Sequence, residues 1–148
     1  MVSTDVPRRN GAALVEATVA MRARFEDRVW TAGSWSEGVA AGLAGLAEQV
    51  AEDPAAARLL VIGARTAGRE LLALADLERR RTISSVRRGW EHHHPGEPVP
   101  ELHLEFLCGA VVHVIATALE LDELDDLPTR LVGLVLLTGE PLPARPCA

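Results

Sequence analysis

Lysine and tyrosine are absent from these 148 residues, and cysteine, methionine and phenylalanine occur twice each. With no lysine, every positive side chain other than histidine is arginine, which reads as a coding bias rather than as chemistry. The net charge is −6, so a surplus of cations able to neutralise a phosphate backbone is missing as well. The one local exception is Arg79, Arg80, Arg81, Arg87 and Arg88. With Glu78 nearby and no interleaved aromatics, that cluster reads as a solvated helix face held by i,i+4 pairs. Two cysteines, Cys108 and Cys147, do not make a disulfide framework. The opening "MVSTDVPRRNGAALVEA" is too polar for a signal peptide. The longest apolar run, Phe106–Leu119, contains His113 and falls short of the ~20 residues of a membrane span. A soluble, cytoplasmic chain is the expectation.

Catalytic signatures are missing too. There is no G-x-S-x-G, P-loop or dinucleotide fingerprint. His103 and Glu105 form a His-x-Glu, but the Pro-Cys-x-x-Cys that completes a zinc deaminase site is not there. His92, His93 and His94 are consecutive, whereas helical metal ligands sit three or four apart, so a solvated loop is the simpler reading. Cys108 is a single thiol among apolar neighbours, where burial makes it inert. The expectation is no enzyme, no metal and no cofactor.

What is present is helix punctuation. Residues 1–11 read as a loose segment; then Leu14, Thr18, Met21, Phe25 and Val29 recur at spacings of four and three. In "SWSE", Ser34 and Glu37 form a capping box that opens a helix with Val39, Leu43, Leu46 and Val50 inward. Asp53 caps the next helix, with Pro54 at its first position; Leu59, Leu60, Val61 and Ile62 follow, and it stops near Gly68. A long charged helix presents Leu71, Leu74, Leu77, Ile83, Val86 and Trp90 to the interior. "EHHHPGEPVP" reads as a loop. Pro100–Leu121 is the fifth helix; an acidic "DELDD" leads to a sixth that starts at Pro128 and ends at Gly139. Residues 141–148 form a Pro-rich tail. The fold class is all-α, about six helices over residues 12–140.

The fifth helix is apolar on more than one side. At 100° per residue, one arc holds Leu104, Leu107, Val111, Val114, Ile115 and Ala118, a core face. A second holds Cys108, Val112, Ala116 and Leu119; a third holds Leu102, Phe106, Gly109, Ala110, His113 and Thr117. The sixth helix, with Leu131, Val132, Leu134, Val135, Leu136 and Leu137, is similar. A helix apolar all round must be buried all round. Pairing Pro100–Leu121 and Pro128–Thr138 with a second copy, as an intermolecular four-helix bundle, is the economical cover.

The six-helix order, the segment "AEDPAAARLLVIGARTAGRE" and two very apolar closing helices resemble the C-terminal ligand-binding and dimerisation domain of tetracycline-repressor (TetR) family transcriptional regulators. The resemblance covers roughly residues 12–140. It implies a dimer through the last two helices and a small-molecule pocket among the middle ones. Nothing like that family's helix-turn-helix precedes Leu14, so direct DNA binding by this chain is not expected. The partners implied are a second copy, a small effector and a full-length regulator, with no membrane.

On this reading Trp35, Ile62, Arg65, Thr66, Phe106, Ala110, His113 and Thr117 are the ligand-binding candidates. His113 can equally be a hydrogen-bonded core or interface histidine. Arg65 can pair with a ligand acid or with Glu70, and Trp30 and Trp35 can wall a pocket or anchor packing. The dimer-interface candidates are Cys108, Val112, Ala116, Leu119, Leu131, Leu134 and Val135. The alternative readings are a purely structural interaction module, a truncated regulator fragment, and a metal-dependent enzyme using the histidines.

Overall fold

A computed structural model describes the backbone of residues 5–66 and 68–137, and the side chains of 11–63, 65–66 and 68–136. Among the described residues every regular element is helical: α1 (Asp5–Thr31), α2 (Trp35–Glu52), α3 (Pro54–Arg58), α4 (Arg69–His93), α5 (Glu101–Leu121) and α6 (Leu127–Gly133). The fold is all-α. A π turn, Leu59–Gly63, and a last turn, Ala64–Thr66, prolong α3, while α6 tightens into a 3-10 turn over Leu134–Leu137. The sixth helix's expected end at Gly139 and the tail at 141–148 lie outside the described residues.

The caps expected from sequence are formed. The Ser34 hydroxyl accepts the Glu37 N–H at 3.3 Å, and the Asp53 carboxylate accepts the Ala56 N–H at 3.0 Å. Each satisfies a donor that the first turn leaves unpaired. Two expectations change. Helix α1 begins at Asp5, inside the segment read as loose. Helix α4 continues through His93, into the stretch read as a loop. There His93 Nε2 donates to the Val29 carbonyl at 2.8 Å, and His94 stacks on Trp90 with ring centroids 3.7 Å apart. His92 lies against Trp30 at 4.2 Å. Histidines are also favoured in a last turn by its exposed carbonyls. Among the described residues no group of three His, Cys, Asp or Glu side chains could hold a metal ion.

Helix α1 packs along α2 and α4, α2 against α6, and α5 against α4 and α6. The α1–α2 crossing is close because α2 carries glycine where the helices meet. A Cβ at Gly38 would lie 2.9 Å from the Val29 backbone, and one at Gly42 would lie 2.4 Å from the Phe25 ring. The core runs from Trp35, set edge-on to Trp90 with centroids 5.6 Å apart, through Val39, Leu43, Leu104, Leu107, Ile115, Leu119, Leu127 and Leu131. Helix α5 is long and apolar enough to cross a membrane by length and composition. That exceeds the sequence expectation, which measured only the uninterrupted run.

Candidate functional site

Four of the six helices, with the turns that prolong α3, wall one apolar cavity of about 300 Å³. Helix α1 contributes Thr18, Met21, Arg22 and Phe25, spaced by three or four residues as one stripe. Helix α2 adds Leu43 and Leu46, and α4 adds Leu72, Ala75, Asp76, Arg79, Thr82 and Val86, again one stripe. Helix α5 supplies Leu107, Cys108, Val111, Val112 and Ile115. The π turn supplies Leu60 and Val61, and Arg65 lies just beyond it. A π turn advances the chain by more than four residues per revolution. That widening lets Leu60 and Arg65, five apart, face the same space.

Most polar groups in the wall are engaged within the chain. The Thr18 hydroxyl donates to the Leu14 carbonyl at 2.8 Å, and the Thr82 hydroxyl to the Glu78 carbonyl at 3.0 Å. The Ser85 hydroxyl donates to the Glu26 carboxylate, which also takes Arg88 at 3.0 Å. Glu78 is buried and binds both Arg22, at 3.1 Å, and Arg81. Asp76 binds both Arg79 and Arg80, whose hydrogen bonds (Arg80's first) hold its carboxyl below the ordinary carboxylate range. Arg65 is exposed at the rim and has no carboxylate or hydrogen-bond partner among the described residues.

Cys108 faces this cavity. Loss of water around the thiol raises its pKa from an ordinary 9.0 to about 11, against a lowering pull from Arg79 and with a further push from Glu105. The folded state therefore favours the neutral thiol. Stability from that preference is complete below pH 9 and falls as pH rises toward 11. At pH 8 that rise leaves about a hundredfold less thiolate, the reactive form, than an ordinary cysteine has. Iodoacetamide alkylation of Cys108 in a Cys147→Ser chain should be slower than that of the unfolded chain by at least this factor. Equal rates would mean that the thiol is not enclosed.

The structure sorts the sequence candidates differently from the expectation. Of the ligand-binding set, only Arg65 reaches the cavity. Trp35 is fully buried against Trp90, away from it. Ile62 packs half-buried on the core, and the Thr66 hydroxyl donates to the Gly63 carbonyl at 3.2 Å. Phe106 and His113 are exposed, with Ala110 and Thr117 half-buried; none of the four touches the cavity. Of the dimer set, Cys108 and Val112 line the cavity, and Leu119 and Leu131 are buried within the protomer. Ala116, Leu134 and Val135 are half-buried against the core. The second arc of α5 thus turns to the cavity and the third turns outward. Periodicity finds apolar arcs but does not rank one above another. The α1 stripe supplies Thr18, Met21 and Phe25 as its spacing indicates, but Arg22 and, on α4, Asp76 and Arg79 were hidden, because they occupy positions where an inward stripe is expected to be apolar.

No family model, no curated protein and no solved structure matches this chain.

Proposed function

We propose that the chain is a ligand-sensing, self-associating helical module. It would hold a small, mostly apolar molecule and act through a partner rather than by touching DNA. The observation that carries this reading is that one helix, α5, has two unlike apolar arcs. Cys108, Val111 and Val112 enclose the cavity, while Leu102, Phe106, Gly109 and His113 face outward. A cavity of about 300 Å³ is at the lower end of small-molecule sites, roughly 300–1,000 Å³. A site and a contact surface on the same rod give a ligand a way to bias assembly. Binding rather than catalysis is favoured because the wall hydroxyls donate within the chain and the one thiol is held neutral. The role in transcription comes from the resemblance to tetracycline-repressor-like sensors, with which the six-helix order agrees.

A native mass spectrum of the gently purified chain tests the reading. The expected result is a dimer, with an adduct whose mass suits the cavity or with one appearing on addition of an apolar compound. A monomer that takes up no apolar compound, and whose melting temperature no such compound raises, would overturn it.

A further inference from the structure

The electrostatics of the cavity mouth carry a statement about the ligand's chemistry. Asp76 and Glu78 are each shared by two arginines, and Arg65 has no carboxylate partner among the described residues. Three guanidiniums of the wall (Arg22, Arg65, Arg79) thus stand with two carboxylates (Asp76, Glu78), an excess of one positive charge in a chain of net charge −6. The other arginines with described partners on α1 and α4 have a carboxylate to themselves or share more than one: Arg24 with Glu52, Arg28 with Glu48, Arg87 with Glu91 and Glu101, Arg88 with Glu26. In the cavity wall itself, Arg65 is the one guanidinium without a carboxylate partner among the described residues. Behind it the wall is Met21, Phe25, Leu46, Val61, Val111 and Ile115.

We propose that the ligand is an anionic amphiphile: a short to medium aliphatic chain in the cavity, ending in one acidic head that Arg65 binds at the rim. This rests on the ligand-sensing reading above and names the ligand class for it. The volume fits a chain of roughly ten non-hydrogen atoms, at ~30 Å³ each by analogy with water. A guanidinium suits the head because its planar fork meets a carboxylate with two parallel hydrogen bonds. Among the described residues Arg65 has no existing pair to break, unlike Arg22 or Arg79.

Calorimetric titration with three probes of one chain length tests this: decanoate, 1-decanol and decylamine, each below its aggregation concentration. The expected order is decanoate tightest and decylamine weakest, with decanoate about threefold to fivefold ahead of decanol, as an exposed ion pair gives. Arg65→Gln is expected to bring decanoate to the decanol level and to leave decanol unchanged. Arg65 is exposed, so the variant's fold is checked directly by an unchanged melting temperature without probe. Protection of Cys108 from alkylation by decanoate, lost in the variant, reports occupancy of the same cavity independently. If the three probes bind alike, or Arg65→Gln leaves decanoate unaffected, the anionic class is wrong while the cavity reading stands. If none binds the unaltered chain, both are wrong.

Discussion

Replacing Glu78 with alanine is expected to lower the free energy of unfolding by about 3 kcal/mol, a large part of the stability of a domain this size. The Glu78 side chain is 2% exposed and Arg22's is 17% exposed, with the pair at 3.1 Å on the apolar cavity wall. Truncating the acid leaves the Arg22 guanidinium partly buried without a partner. Removal of one member of a buried pair typically costs about 3–5 kcal/mol. The lower end applies because Arg81, the second partner, is half exposed and water takes over its hydrogen bonds. Glu78→Gln keeps an acceptor for Arg22 and should lose less. Removing both charges together, Glu78→Leu with Arg22→Met, should recover most of the loss, since an apolar pair of similar volume avoids the desolvation penalty. Urea unfolding of the four chains measures this. A loss below about 1 kcal/mol for Glu78→Ala, the range of exposed pairs, would show that the pair is solvated.

Glu78 also marks where the sequence was legible and where it was not. The capped starts at Ser34 and Asp53–Pro54 and the inward stripes of α1 and α2 could be read directly. Each of those helices has one apolar arc, and cap chemistry is local. On α4 the apolar pattern put Leu77 inside and treated Glu78 as part of a solvated face. The structure exposes Leu77 and buries Glu78 and Ser85, because Arg22 and Glu26 reach across from α1. A buried polar residue is readable only with its partner, and Arg22 is 56 residues away. The close α1–α2 contact at Gly38 and Gly42 was likewise invisible, since a glycine's role there is set by what lies opposite. On α5 the difficulty was the reverse. The core arc with Leu104, Leu107, Ile115 and Ala118 was legible and is buried, but the pattern did not rank the second arc against the third, and only the positions of α4, α6 and the π turn decide which of these faces inward.

The outward arc of α5 carries the second large expected effect. Leu102 is 64% exposed, Phe106 62% and, on α6, Leu136 81%. A Cβ added at Gly109 would meet nothing within 4 Å. Covering one such side chain is worth roughly 1.5–3 kcal/mol, and in a two-fold interface every residue counts twice. In the proposed dimer, Phe106→Glu removes that gain on both copies and sets a charge in its place. It should shift the dimer's dissociation constant upward by at least a hundredfold, seen as monomer in light scattering at concentrations where the unaltered chain is dimeric. Because Phe106 is solvent-exposed in the protomer, the monomer's own melting temperature should change little. Gly109→Trp provides a steric counterpart: the space is open in one copy, so only close approach of a second copy would be blocked. An unaltered chain that is monomeric at high micromolar concentration, or a dimer that survives both changes, would mean that something else covers this arc. The same helix lines the cavity with Cys108 and Val112, roughly 120–160° round from Phe106 at ~100° per residue. If ligand entry moves α5, the dissociation constant of the dimer must change with ligand. By linkage, the ligand's affinity must then change by the same factor between monomer and dimer. Measuring decanoate binding to the Phe106→Glu monomer beside the unaltered dimer gives that factor directly. A value near one would leave the cavity and the interface as independent features of one helix; a larger value would make α5 the element through which the site reports.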